Sequence, residues 1–207
     1  TKELLSTLVG STANDQVGAG GVTALTNGNY VVRSRYWDNG NVTDAGAATF
    51  GNGTTGIMGV VSIANSLVGS TNNDYVSYYV EALTNGNYVV RSHYWDNGNV
   101  TNAGAATFGD GTTGIMGVVS IANSLVGSTS NDYVSRYVAA LKNGNYVVRS
   151  PYWDNGNVTD AGAATFGNGT TGIMGVVSAA NSLVGATSDD QVSRTGVTAL
   201  TNGNYVV

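Results

Sequence analysis

The chain has 207 residues, 13 acidic and eight basic side chains that give a net charge of -5, and no cysteine. Its basic residues are spread singly along the sequence, so a nucleic-acid footprint is not expected. The lack of cysteine excludes disulfides, zinc-thiolate sites and cysteine nucleophiles. No apolar run approaches the ~18 residues of a membrane span, so no span is expected. Residues 1–5 lack the apolar stretch of a secretory signal, and we expect any export signal to lie outside this sequence.

Strand-like runs alternate with turn residues from the start of the chain. Residues 21–25 lead into Asn27-Gly28, a pair that supplies the positive φ of a tight hairpin turn. Residues 30–34 are rich in β-branched and aromatic side chains and predict the second strand. A polar loop follows, then a third predicted strand at 45–50 and a fourth that runs from 59–63 towards 67–69.

This pattern is one unit of a tandem repeat. The segment LTNGNYVV begins at Leu25 and Leu83, returns as LKNGNYVV at Leu141 and again as LTNGNYVV at Leu200, a step of 58 or 59 residues. Other motifs keep the same step: YWDNG at Tyr36, Tyr94 and Tyr152, AGAATFG at Ala45, Ala103 and Ala161, and NSLVG at Asn65, Asn123 and Asn181. The chain therefore contains three full units and the first half of a fourth.

Four short strands joined by hairpin-length links are typical of one propeller blade. We predict an all-β protein, a β-propeller of four-stranded antiparallel blades at about 8–66, 67–124 and 125–182, with a partial blade at 183–207. A β-solenoid with three coils per unit is the alternative. It is less favoured because the three thirds of a unit do not resemble one another.

The units resemble FG-GAP repeats, which form integrin-α-type β-propellers. The likeness rests on Asn14-Asp15-Gln16-Val17-Gly18, on residues 28–34 and on residues 44–51, and the third unit adds the family's proline at Pro151. Such units are similar to those of filamentous-haemagglutinin-like bacterial surface proteins, which implies an exported, adhesive protein. The family's calcium loop carries carboxylates that residues 26–29 lack, so a calcium site is not expected there.

A weaker calcium candidate is the loop at 38–44 and its two copies. Oxygen-bearing side chains alternate around a glycine, as calcium requires, although such loops more often form side-chain-to-backbone turns. The candidate ligands are Asp38, Asn41, Asp44, Asp96, Asp154 and Asp160. No other cofactor is expected.

The units differ from one another in two places, and these are the candidate binding positions. One place precedes the first strand and the other follows the second strand, and both lie on the same face of a four-stranded blade. Tyr and Arg commonly anchor interfaces, so we predict that this face binds a protein or glycan partner. The candidate residues are Arg35, Tyr75, Tyr78, Tyr79, His93, Tyr133, Arg136, Tyr137 and Arg194.

A non-enzymatic binding scaffold at the cell surface or outside the cell is the resulting functional hypothesis. Catalysis is not expected because His93, the single histidine, is replaced by Arg35 and Pro151 in the sister units. The alternative is a structural protein whose blades pair with another chain, since three and a half units are fewer than the ~4 to 8 blades of common propellers. Near-identical units are also typical of natural spacers and of engineered near-consensus arrays, and neutral drift at exposed sites is a third explanation of the variable positions.

Overall fold

The structure is a computed structural model that describes residues 6–207 as eighteen short strands, with no helix in that range. The all-β prediction is confirmed. In the first unit, β1 is Thr7–Val9, β2 Val22–Ala24, β3 Tyr30–Ser34, β4 Ala47–Gly51, β5 Met58–Val60 and β6 Ser66–Val68. In the second, β7 is Tyr79–Ala82, β8 Tyr88–Ser92, β9 Ala105–Gly109, β10 Gly117–Val118 and β11 Ser124–Val126. In the third, β12 is Tyr137–Ala140, β13 Tyr146–Ser150, β14 Ala163–Gly167, β15 Gly175–Val176 and β16 Ser182–Val184, and a hairpin of β17 (Thr198–Ala199) and β18 (Tyr205–Val206) follows.

Each unit forms one antiparallel sheet and lends one strand to its neighbour. In the first unit the order is β2-β3-β4-β6, and β10 of the second unit joins the outer side of β6 in parallel. β15 of the third unit joins β11 in the same way, and β5 pairs with β1. The sheets therefore span residues 22–68, 79–126 and 137–184, and the predicted boundaries at 66/67, 124/125 and 182/183 fall within their last strands.

The predicted fourth strand was wrong in one respect, because it is two strands that belong to different sheets. Asn65 turns the chain between them: its Oδ1 accepts the Ser62 amide at 2.9 Å and its Nδ2 donates to the Val60 carbonyl at 2.9 Å. The strand before the turn, β5, pairs with β1, and its equivalents in the second and third units pair with the preceding unit. The strand after the turn closes the sheet of its own unit. Two short strands that belong to different sheets have the same apolar residue pattern as one continuous strand, so the pattern alone cannot distinguish them.

The core lies between successive sheets, so each unit is buried by its neighbours. Leu25, Val31 and Leu67 of the first unit pack against Tyr88 and Val90 of the second. The next interface repeats this arrangement between the second and third units. Val89 and Val90 are adjacent and both fully buried, which shows that the second sheet is covered on both faces. Such burial on two faces explains why β8 carries consecutive apolar residues instead of an alternating pattern.

The Asn-Gly hairpin turn is confirmed, and it also joins two units. Gly28 has a φ of +91° in the turn between β2 and β3. The side-chain amides of Asn27 and Asn29 each donate to the carbonyl of Gly111 in the next unit at 2.7 Å. Asn85 and Asn87 make the equivalent pair of hydrogen bonds to the Gly169 carbonyl. The turn residues are invariant because they form both a hairpin and a contact between units.

Gly104 provides a test of how tightly neighbouring units approach. Its φ is +76°, and a Cβ at this position would lie 2.3 Å from the backbone nitrogen of Val134 in the next unit. We expect Gly104→Ala to lower the free energy of unfolding by roughly 3 kcal/mol or more, because backbone atoms on both sides would have to move. Urea unfolding followed by circular dichroism measures the change.

The matched control is Gly98→Ala, at a glycine with a φ of +61° and no atom within 4 Å of a new Cβ. Only the left-handed backbone is penalised there, so we expect a loss of about 1–2 kcal/mol. Equal losses for the two variants would contradict the close approach of the units at Gly104.

Candidate binding surface

The loop that leads into the first strand of each unit is here called the lead-in loop. Its backbone is hydrogen-bonded to the backbone of the preceding unit. In the second unit it comprises residues 72–78. The amides of Asn73, Tyr75 and Val76 donate to carbonyls of residues 43, 44 and 45 at 3.0 Å each. Tyr75 is held at a φ of +46°, and its counterpart Tyr133 has the same value. Positive φ is rare for a bulky side chain, so these bonds keep both tyrosines in a strained conformation.

A buried carboxylate fixes the lead-in loop from within. Asp74 is fully buried, and its Oδ2 accepts the amides of Ser70 and Thr71 at 2.8 Å each. Its Oδ1 accepts the Asp96 amide at 3.0 Å, which connects the loop to the segment after the second strand. Burial raises the pKa of Asp74. Hydrogen bonds from Thr71, Asp96 and Ser70 act in the opposite direction, but their effect is smaller. Asp132 repeats this arrangement in the third unit.

One row of tyrosines crosses the junctions between units. Tyr36, Tyr75, Tyr94, Tyr133 and Tyr152 follow one another edge to face, with ring centroids 6.0, 6.0, 5.9 and 6.1 Å apart. The lead-in loops and the segments after the second strand contribute these tyrosines alternately. Gln16 and Gln191 occupy the lead-in position in the first and last units. The row therefore lies at the junctions on which a lead-in loop carries tyrosine.

A second row alternates arginine and tyrosine. The guanidinium of Arg91 lies 4.8 Å from the Tyr79 ring centroid and 5.9 Å from that of Tyr137. Arg33 lies 5.8 Å from the Tyr79 ring centroid, and Arg149 lies 4.8 Å from that of Tyr137. Each tyrosine thus makes cation–π contacts with the arginine opposite it in the second strand of its own unit and with the equivalent arginine of the preceding unit.

The arginines of this row also donate hydrogen bonds across the junction. Arg149 Nε donates to the Ser193 carbonyl at 2.9 Å and its Nη2 to the Arg194 carbonyl at 2.8 Å. Arg91 donates to the equivalent carbonyls of Ser135 and Arg136. The sequence interpretation missed Arg33, Arg91 and Arg149. The sequence signal for them is the Arg-Ser pair that ends each second strand and is unchanged from unit to unit.

His93 lies beneath the surface, where it joins the two variable places. It is fully buried, 4.8 Å from the ring of Tyr78 and 4.3 Å from that of Tyr94. Arg136 Nη1 lies 2.8 Å from His93 Nε2. A guanidinium can only donate, so Nε2 accepts and the proton resides on Nδ1, which has no hydrogen-bond partner. Burial first, then the charges of Arg136 and Arg91, lower the pKa of His93 to about 3.

The two rows and their neighbours form one continuous surface, which we call the Tyr–Arg strip. Tyr79 and Tyr137 are its most open aromatic rings, with 45% and 38% of their surface exposed. The strip consists of Arg33, Arg35, Arg91, Arg136, Arg149 and Arg194 together with Tyr36, Tyr75, Tyr78, Tyr79, Tyr94, Tyr133, Tyr137 and Tyr152.

The residues predicted to bind a partner fall on this strip, with one correction. Arg35 lies 5.0 Å from the Tyr78 ring, so the two variable places converge between the first and second units. His93 and Arg136 bring them together between the second and third. Arg194 is exposed at the far end and contacts Gln191. His93 is the correction, because a fully buried ring between tyrosines and an arginine has no surface for a partner.

The loops proposed for calcium use their carboxylates to bind their own backbone. Asp38 Oδ1 accepts the Asp44 amide at 2.8 Å, and Asp96 and Asp154 accept the equivalent amides at 2.7 and 2.8 Å. Burial and the nearby charge of Asp38 raise the pKa of Asp44, and burial and Asp154 raise that of Asp160. Asn41 is exposed at the loop tip. Within residues 6–207 no group of three or more His, Cys, Asp or Glu side chains is arranged to hold a metal ion.

The fold and the strip define a tandem-repeat all-β protein whose units are joined through their faces. Three segments, residues 24–78, 82–136 and 140–194, match the family described as "Repeat of unknown function (DUF5650)". They cover more than half of the chain, which therefore belongs to this family. The match establishes the repeat array and does not extend to FG-GAP identity. No curated protein matches the sequence, and no helix among the described residues is long and apolar enough to cross a membrane.

The depressed pKa of His93 predicts a specific loss of stability in acid. The folded state keeps the imidazole neutral to about pH 3, whereas the unfolded chain binds a proton near pH 6.5, the ordinary pKa of histidine. The stability that His93 contributes is therefore complete above pH 6.5 and lost as the pH falls towards 3, at roughly 1.4 kcal/mol per pH unit. We expect chemical unfolding at pH 7, 6, 5 and 4 to show this slope in wild type relative to His93→Pro, a residue that the third unit carries at Pro151.

NMR of the single imidazole is the independent measurement. We expect its resonances to remain those of the neutral Nδ1–H tautomer down to pH 4. A titration midpoint near 6.5 would contradict the buried contact with Arg136.

Proposed function

We propose that this protein is a non-enzymatic binding scaffold, adhesin-like and displayed outside the cell, that holds a protein or glycan partner on the Tyr–Arg strip. The observation that carries the proposal is the convergence of the variable positions of different units onto one strip. Arg35 against Tyr78 and Arg136 against His93 are the contacts that join them. Tyr and Arg are the residues most enriched among the anchors of interfaces.

Backbone strain supports the same assignment. Tyr75 and Tyr133 have positive φ, and so do Ser77 and Ser135 two residues further on, all in lead-in loops. Each such residue costs roughly 1–3 kcal/mol, and strain of this kind clusters at binding sites. The loops are held from the preceding unit, so the strip is a preformed surface. A preformed surface loses little entropy when it binds.

We further propose that the sheets are blades of an open β-propeller, in keeping with the FG-GAP likeness of the motifs. The first strand of the second unit, β7, contacts both β2 and β12, its counterparts in the neighbouring units. The first strands thus approach one another at one edge of the sheets, as the inner strands of propeller blades do. The lead-in loops then emerge side by side at one rim.

Exchange of strip residues for those of the terminal units tests the binding proposal. Tyr78→Ala, Tyr79→Thr and Tyr137→Thr introduce the residues found at Ala19 and Thr195, so the fold has a precedent for each. We expect the triple variant to retain its melting temperature within a few degrees. We expect it to lose the binding that wild type shows to a printed panel of glycans and extracellular-matrix proteins, because each anchor contributes on the order of 1–2 kcal/mol.

Lys142→Thr is the matched control, since the other units carry Thr26, Thr84 and Thr201 at this exposed position. It should bind as wild type does. Equal binding by wild type and the triple variant, or no binding by wild type to any member of the panel, would exclude the strip as the binding surface.

A second candidate function, self-assembly into larger arrays, rests on a different surface. Met58, Met116 and Met174 occur near the outermost strand of each unit and are 63%, 57% and 57% exposed. Edge strands with exposed apolar side chains pair readily with other chains. Met58→Ser, Met116→Ser and Met174→Ser together should convert a concentration-dependent oligomer into a monomer in sedimentation velocity. A wild-type monomer at every concentration would argue against this candidate.

A further inference from the structure

The positive charge of the chain is concentrated on the strip. Eight residues are lysine or arginine, and the six arginines all lie on the Tyr–Arg strip. The chain as a whole has a net charge of -5. Arginines that are far apart in the sequence are thus collected into one basic region on an otherwise acidic molecule.

The contacts of these arginines leave their charge largely uncompensated. The hydrogen bonds that Arg91 and Arg149 donate go to backbone carbonyls, Arg136 donates to neutral His93, and Arg194 donates to the amide oxygen of Gln191. All these acceptors are uncharged. Glu81 is near enough to act on Arg91, and Asp160 on Arg194, but burial raises the pKa of both carboxyl groups. Such a row of guanidinium groups favours an anionic ligand.

The exposed tyrosines of the strip lie beside its arginines. Guanidinium groups lie over the Tyr79 and Tyr137 rings, and these two residues are 45% and 38% exposed, so a ligand can reach both kinds of side chain. Two adjoining grooves, of about 280 and 260 Å³, share Tyr94 and Arg136 in their walls. Each is smaller than a usual drug-sized pocket and would hold one small polar group, such as a single sugar residue with its anion.

We propose that the strip binds an anionic polysaccharide that lies across successive units. This inference rests on the binding function proposed above and specifies its ligand. Carboxylate or sulfate groups would meet the guanidinium forks, which match planar and tetrahedral oxyanions in bidentate fashion. Sugar hydroxyls would pair with the tyrosine phenols.

The spacing of the arginines separates this ligand from a nucleic acid. Arg33, Arg91 and Arg149 supply one guanidinium per unit, Arg35, Arg136 and Arg194 add three more on the same strip, and sheets packed face to face are ~10 Å apart. A nucleic-acid strand carries a phosphate every ~3.4 Å, and the acidic remainder of this chain would repel so dense a charge. A polysaccharide with one anionic group per disaccharide has the sparser charge that this row matches.

Periodicity separates it from an acidic protein partner. The Arg–Tyr contacts repeat from one junction to the next, with 5.8 Å between Arg33 and the Tyr79 ring and 5.9 Å between Arg91 and the Tyr137 ring. Equivalent binding positions at successive junctions suit a ligand that is itself made of repeating units. A folded protein without internal repeats presents no such series of equivalent groups.

Calorimetric titration with hyaluronan oligosaccharides, which carry one carboxylate per disaccharide, tests the proposal. Arg136→Ala introduces the residue of the first unit, Ala19, and Lys142→Thr removes one positive charge away from the strip. We expect Arg136→Ala to weaken binding about tenfold or more, because a charge-assisted contact is lost, and Lys142→Thr to change it less than about twofold. Binding should also weaken as the salt concentration rises from 50 to 300 mM, because salt screens the attraction between the arginines and the anionic groups.

Neutral dextran, polyglutamate and single-stranded oligothymidylate are the comparison ligands. Binding of hyaluronan above all three, with the expected order of variants, supports the proposal. Preference for dextran, polyglutamate or oligothymidylate, or equal effects of the two variants, overturns it. If a strip variant still abolishes binding to another panel member, the scaffold function stands and the ligand class is wrong. If strip variants affect no ligand, both proposals fail.

Discussion

Exchange of a strand between neighbouring units is the interaction on which the rest of this structure depends. β10 leaves the second unit to pair with β6, and β15 leaves the third to pair with β11. A unit alone would lose that strand, and it would also expose the faces that carry Val31 and Leu67 to water. Side chains as large as leucine and valine each contribute roughly 1.5–3 kcal/mol when buried. Folding of one unit is therefore coupled to folding of the next.

This dependence explains why the units are so nearly identical. Asn27 contacts Gly111 in the following unit, while its equivalent Asn85 contacts Gly169, so each hairpin turn must fit a glycine that lies 84 residues further along. A change in one unit would require a compensating change in another. Variation is tolerated where a side chain points away from these contacts, and the lead-in loops are such a place. The strip therefore combines an invariant arginine frame with variable tyrosine and arginine side chains.

Much of the architecture could be predicted from one unit of sequence because its signals are local. Asn27-Gly28 marks a hairpin through the φ that glycine allows, and Tyr30–Ser34 forms a strand where β-branched residues cluster. That Arg35 and Tyr78 lie close together could be expected from the order of four antiparallel strands in one unit. The division of the fourth strand at Asn65 could not be predicted, since it depends on which sheet each half joins.

The roles of single side chains on the strip were harder to predict, because they depend on partners 43 to 45 residues away. His93 reads as a surface residue among variable neighbours, yet Tyr78, Tyr94 and Arg136 enclose it. Asp74 reads as part of a polar turn, yet it is a fully buried bridge to Asp96. Such contacts are properties of a junction between two units, and a single unit does not contain them.

By the same reasoning, the proposed binding surface lies at the junctions between units. Tyr79 stacks between Arg33 of one unit and Arg91 of the next, so neither unit presents the complete contact by itself. In the last unit Thr195 and Gln191 stand where Tyr137 and Tyr133 stand before, and the aromatic rows end with the third unit. The number of proposed ligand-binding positions thus equals the number of junctions that carry tyrosine, not the number of units. An array of this kind would gain affinity for a long ligand by adding junctions, since each new position acts on a ligand already held nearby.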